Sequence, residues 1–130
     1  HLPALYLLFS HQLTEQQKKE ADEGLGVNEI HYLPDDLKML WSQIPPDIAD
    51  ISDYIQPIKE WLNKRINPGD YILMQGDFGA TYMMVKWALA KGLKPIYATT
   101  ERKVIETRDG DKVSSKKVFE HVRFRFYDNN

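Results

Sequence analysis

Leu5-Tyr6-Leu7-Leu8-Phe9 is an apolar run with no polar residue in it. A strand covered on both faces reads this way, because neither face meets water. Tyr71-Ile72-Leu73-Met74 has the same character, and Lys94-Pro95-Ile96-Tyr97-Ala98 is a further strand of the same kind. Strands buried on both faces need helices on both sides, so these runs demand an α/β domain of three layers.

The segments between them supply those helices. Thr14 and Gln17 form a capping-box pair, opening a polar helix that stops near Gly24 or Gly26. Glu29-Ile30-His31-Tyr32-Leu33 reads as a shorter second strand. Asp35 or Asp36 is placed to cap a brief helix through Leu37, Leu40 and Trp41, ended by Pro45-Pro46. Ile48, Ile51, Ile55, Ile58, Leu62 and Ile66 step by three or four, the mark of one apolar helix face. Pro57 falls inside that pattern and predicts a kink or an irregular turn, and Asn67-Pro68-Gly69 stops it. Gln75-Gly76-Asp77-Phe78-Gly79 then leads into a helix from about Ala80 to Lys91, closed by Gly92.

Later the period changes. Residues 102–108 and 111–118 flank Asp109-Gly110, a two-residue hairpin signal. Val122, Phe124 and Phe126 alternate with Arg123 and Arg125, as a half-buried antiparallel strand does. The predicted order is β-α-β-α-α-β-α-β-β-β, a mostly parallel sheet with a C-terminal antiparallel hairpin. At 130 residues the chain has the length of a single domain spanning 1–130.

Composition narrows the function classes. There is no cysteine, which excludes disulfides, thiol catalysis and cysteine-bound metal. No His/Asp/Glu spacing is convincing for a metal, so no metal and no cofactor are expected. The net charge of −2 argues against a general grip on duplex DNA. That charge is uneven, at −4 over residues 1–100 and +3 over residues 101–125. No apolar run approaches the ~18 residues of a membrane span, and His1-Leu2-Pro3-Ala4 has no signal-peptide anatomy. A cytoplasmic protein without membrane attachment is the expectation, and His1 is given no role.

In open α/β sheets, ligands sit beyond the carboxyl ends of the parallel strands. That rule selects Ser10-His11-Gln12, Gln75-Gly76-Asp77-Phe78-Gly79-Ala80-Thr81, and Thr99-Thr100-Glu101-Arg102-Lys103. In the middle segment, glycine lets a ligand approach the backbone, and a helix N-terminus offers free N–H groups to an anion. Asp77 is either an N-cap or, if functional, the partner of a ribose hydroxyl or base amine. Phe78 is placed to stack on a base. His11 is a candidate proton carrier near neutral pH. Arg102 and Lys103 are candidates to meet phosphate charge. His31 and His121 read as structural, and Trp41, Trp61 and Trp87 as core.

Leu5-Tyr6-Leu7-Leu8-Phe9-Ser10-His11, Gln75-Gly76-Asp77-Phe78-Gly79-Ala80-Thr81-Tyr82 and Tyr97-Ala98-Thr99-Thr100-Glu101-Arg102-Lys103 together resemble a small CRISPR-associated family, the twentieth of the Csx series. The resemblance runs from about Ala4 to Tyr127. It implies a minimal, Rossmann-like (CARF-like) domain that acts alone as a ring nuclease in type III CRISPR immunity. Such a protein binds a cyclic oligoadenylate, cyclic tetra-adenylate foremost, and cuts it without a metal by attack of a ribose 2′-OH. The expected ligand-binding residues are Ser10, Gln75, Gly76, Asp77, Phe78, Gly79, Ala80, Thr81, Thr99, Thr100 and Glu101, and the expected catalytic residues are His11, Arg102 and Lys103. A symmetric ring suits a homodimer. The rival expectation is a sponge or sensor that binds the same ring without cutting it.

Overall fold

The computed structural model describes residues 2–128. Its elements are β1 (Ala4–Leu8), α1 (Glu15–Glu23), β2 (Glu29–Tyr32), α2 (Asp35–Ser42), α3 (Gln56–Asn63), β3 (Tyr71–Met74), α4 (Phe78–Ala90), β4 (Lys94–Asp109) and β5 (Lys112–Phe126). They form one five-stranded sheet in the order β2-β1-β3-β4-β5. The first four strands run parallel, and β5 is antiparallel to β4. The fold is therefore a mixed α/β one, with a mostly parallel sheet and a C-terminal antiparallel pair.

Every residue of β1 and β3 is buried, as their uninterrupted apolar runs require. Their alternate side chains feed two cores. Tyr6, Leu8, Ile72 and Met74 pack with Leu37, Trp41, Ile58, Leu62, Met84 and Ala88 from α2, α3 and α4. Leu5, Leu7, Leu73 and Ile96 pack on the other face with Ala21 of α1 and Phe124 of β5. One buried carboxylate fastens the amino edge: Asp70 accepts from the Ala4 N–H at 3.0 Å and the Asn67 N–H at 2.8 Å.

Local chemistry sets most of the helix ends. Thr14 and Gln17 make the reciprocal capping box, and α1 closes at Gly24. Elsewhere the structure departs from the expected boundaries. Pro34, not Asp35 or Asp36, is the N-cap of α2, and the two aspartates lie in its first turn, where they meet the positive end of the dipole. The long isoleucine stripe is helical only from Gln56 to Asn63, with Pro57 in the first turn. A proline has no N–H to donate but costs nothing there, so it starts the helix rather than kinking it. Residues 47–55 form turns that carry Ile51 and Ile55 to the same core.

The largest departure is at the C-terminal end. The expected fourth strand and the first hairpin strand are one element, β4, and the last two are one element, β5. A register shift between Thr99 and Thr100 leaves Val122 as the extra residue of a bulge. The hairpin turn is Gly110-Asp111 rather than Asp109-Gly110, because Asp109 pairs with Lys112. Gly110 has φ +63° while Asp111 stays negative, the pattern of a two-residue turn with glycine first. Beyond Ala98 the two strands leave the sheet as a ribbon, in which every residue from Thr100 to Lys117 is exposed.

Candidate functional site

β1 and β3 lie side by side, so the segments that follow them meet. The Gln75 N–H donates to the Leu8 carbonyl at 3.1 Å. The Gln75 side chain then reaches across to β4, its Oε1 accepting from the Ala98 N–H at 2.9 Å. From the back, the Trp41 indole donates to the Gln75 carbonyl at 3.0 Å. A Cβ on Gly76 would stand 2.8 Å from that indole nitrogen. The tryptophan behind it requires the glycine, whose φ is not positive.

A cavity of about 510 Å³ opens on the α4 side of this junction, lined by Gln75, Gly76, Phe78, Thr81, Tyr82, Val85, Tyr97 and Tyr127. Phe78 is the first residue of α4 rather than a loop residue, and it is 96% exposed. Tyr82, one turn on, is 64% exposed. Opposite them, the Tyr97 and Tyr127 rings stand 4.8 Å apart, centre to centre. The Tyr127 hydroxyl donates to the Met74 carbonyl, and burial, with Tyr97 second, pushes its phenol pKa up. The group therefore stays a neutral donor. Arg125 lays its guanidinium 5.6 Å over the Tyr97 ring and donates to the Tyr97 hydroxyl at 3.1 Å. The Thr81 hydroxyl is buried without a hydrogen-bond partner among the described residues. An unpaired buried hydroxyl costs free energy unless a ligand or water reaches it.

Of the residues expected from sequence, Gln75, Gly76, Phe78 and Thr81 line this cavity. Asp77, Gly79 and Ala80 do not. Asp77 is the N-cap of α4, its carboxylate accepting from the Ala80 N–H at 3.0 Å. Ala80 is in the core, and Gly79 lies against Ile51. Ser10 and His11 are exposed beyond β1, outside the lining, with the His11 ring edge-on to Phe9 at 5.2 Å.

The third expected segment is not a turn at all. Thr99, Thr100, Glu101, Arg102 and Lys103 run out along β4. Thr99 is held by β5, its hydroxyl donating to the Arg123 carbonyl at 3.0 Å. Alternate strand residues take opposite faces, so Arg102 shares the face of Ile96 and Ala98, away from the cavity. Lys103 shares the face of Tyr97 but stands about 20 Å further along the strand. It pairs with Glu120 at 2.9 Å, and that hydrogen bond and charge hold its pKa above the ordinary lysine value. Arg125 is not among the lining residues; it reaches the cavity's edge by stacking over Tyr97. Sequence reading missed it, together with Tyr82, Tyr97 and Tyr127. The alternation of Arg123 and Arg125 with Phe124 and Phe126 did place Arg125 opposite the buried face, and that was the available signal.

A second cavity, of about 610 Å³, lies at the amino edge beside Tyr6, His31, Trp61, Arg65 and Asp70. Several of its polar groups are already paired. Tyr6 donates to the Arg65 carbonyl, Arg65 to the Trp61 carbonyl, and His31 meets Glu29 at 3.1 Å. His121 is likewise structural, pairing with Glu20 of α1 where β5 crosses it. Among the described residues, no helix is long and apolar enough to cross a membrane.

Residues 3–125 match the family described as "Uncharacterized protein MJ1673 family". A relative of that name from Methanocaldococcus jannaschii is 50% identical over 126 residues, which is 97% of this chain and 98% of the relative. No solved structure matches the chain. With agreement over nearly its whole length, the chain belongs to the MJ1673 family.

Proposed function

We propose that this chain is a ring nuclease that binds a cyclic oligoadenylate, cyclic tetra-adenylate foremost, in the aromatic cavity beside α4. The observation that carries the proposal is the pairing of exposed aromatic faces with an arginine. Phe78, Tyr82 and Tyr97 offer surfaces on which adenine stacks. Arg125 stands at their edge with N–H groups suited to a phosphate. A strand order that turns back between β1 and β3 supports a Rossmann-like reading of the fold, with the ligand at its carboxyl edge.

A cavity of about 510 Å³ suits a drug-sized ligand rather than a four-nucleotide ring. Each copy of a homodimer would then hold part of one ring across a two-fold axis. In the reaction the ribose 2′-oxygen loses its proton and bonds to the adjacent phosphorus. The bond from phosphorus to the 5′-oxygen breaks, and that oxygen takes up a proton. The protein's task is to align the three atoms and to meet the charge on the phosphorane. Arg125 replaces Arg102 and Lys103 in that role, and His11 remains the candidate proton carrier from the neighbouring strand end.

One observation favours a second reading. Among the described residues, no His, Asp, Glu, Lys or Arg lines the cavity. A sponge or sensor needs only the stacking faces and the arginine, not a proton carrier.

Calorimetric titration with cyclic tetra-adenylate tests the site. Wild type should bind, and Arg125→Ala should weaken binding roughly ten- to a hundredfold, the loss expected for charged hydrogen bonds. No heat and no thermal shift with the wild-type protein would remove both readings.

A further inference from the structure

We propose that the β4–β5 ribbon is a dimerisation arm that docks on the acidic segment 35–53 of a second copy of this chain. From Glu101–Glu120 to Asp109–Lys112 the arm is about 30 Å long, and neither core includes any of its residues. Val104, Ile105, Val113 and Phe119 stand 50–70% exposed on it. An isolated two-stranded ribbon is marginal in water, and apolar side chains on an unprotected one invite a partner.

Charge says which partner. The arm, residues 101–120, carries six Lys/Arg against five Asp/Glu, a net of +1, but Lys112, Lys116 and Lys117 follow one another with no acid from 112 to 119, while segment 35–53 carries −4, so this basic stretch of one copy is attracted to that segment of another. The acidity of the body is concentrated. Asp35, Asp36, Asp47, Asp50 and Asp53 lie within one segment against a single lysine, Lys38. That segment also exposes Met39 (60%) and Ile48 (40%), apolar surface to set against Val104 and Phe119. It sits at the carboxyl edge, where the arm leaves the sheet: Trp41 of α2 bonds to Gln75, and a Cβ on Gly79 would stand 3.8 Å from Ile51. A two-fold axis along that edge lets each arm cross the other copy, using the same pair of surfaces twice.

The inference deepens the homodimer of the proposed function, but its test needs no ligand. Sedimentation of the wild type should give about 30 kDa, twice the 15.2 kDa of one chain. Replacing Arg102–Phe119 by Asn-Gly should give a monomer that still melts cooperatively, since the body cores are untouched, at a temperature that no longer depends on protein concentration. Lys116→Glu with Lys117→Glu, and separately Asp47→Lys with Asp53→Lys, should each weaken self-association about tenfold or more. Mixing these two variants should restore a heterodimer, because the acidic arm of the first then meets a segment no longer acidic, and the basic arm of the second meets the unaltered acidic segment. A dimer that survives arm removal would overturn the arm while leaving a dimeric ring nuclease standing. A monomeric wild type would overturn the dimer itself. Failure of the mixed variants to associate, with both singly weakened, would assign the arm's charge to a partner other than this chain, such as RNA, and overturn the pairing.

Discussion

Asp77 and Tyr127 show how far the role of one residue depends on what it already holds. The Asp77 carboxylate is committed to the Ala80 N–H and lies outside the cavity lining. Asparagine caps a helix about as well as aspartate. Asp77→Asn should therefore hold stability within a few tenths of a kcal/mol, and calorimetry should find ring affinity unchanged. A fall in affinity with an unchanged melt would return Asp77 to the ligand. Tyr127 is tied instead to Met74. Tyr127→Phe should cost about 1 kcal/mol in urea denaturation at neutral pH, the net worth of one hydrogen bond. The effect has a pH signature. Burial raises the phenol pKa in the folded chain, so the unfolded chain gives up its proton first. The stabilisation is complete below the ordinary value near 10 and is lost as pH climbs through the raised one. The stability gap between wild type and Tyr127→Phe should narrow above about pH 10; a gap that stays constant there would argue against a buried, hydrogen-bonded phenol.

Among the elements, α3 separates what a pattern fixes from what it leaves open. Of the stripe, Ile51, Ile55, Ile58, Leu62 and Ile66 do meet one core and Ile48 stays exposed, yet only Gln56–Asn63 is helical. A turn can deliver Ile51 and Ile55 as well as a helix can, and period alone does not distinguish the two. Pro57→Ala tests the boundary. In the first turn a proline costs nothing, so the substitution should change stability by no more than about 0.5 kcal/mol. An interior proline would instead be worth roughly 3 kcal/mol on removal, and a gain of that size in chemical denaturation would restore the kinked helix. β1, β3 and the capping box of α1 were legible because burial on both faces and a local hydrogen-bond pair leave direct marks on sequence. The continuity of β4 and β5 was not, since a ribbon exposed on both sides has no buried face to impose alternation. The cavity was half legible for a related reason. Gln75, Gly76, Phe78 and Thr81 follow one strand in sequence, whereas Tyr97 and Tyr127 join them only through sheet pairing and a bond from Tyr127 to Met74.

At the scale of the whole molecule, charge and shape bear on the same end of the sheet. The aromatic cavity, the acidic segment and the root of the arm all adjoin the carboxyl edges of β3 and β4. Under the proposed pairing, a two-fold pair of copies meeting there would bring two half-sites together over one symmetric ligand, as a cavity smaller than the proposed ring requires. The most direct test of the proposed activity is incubation of the protein with cyclic tetra-adenylate, with and without EDTA, followed by chromatography of the products. Ring cleavage by the ribose 2′-OH predicts linear di- or tetra-adenylate ending in a 2′,3′-cyclic phosphate, formed equally well in EDTA. Recovery of the intact ring from protein that binds it would contradict the nuclease and leave a sponge, and activity lost in EDTA but restored by a divalent ion would contradict the metal-free attack.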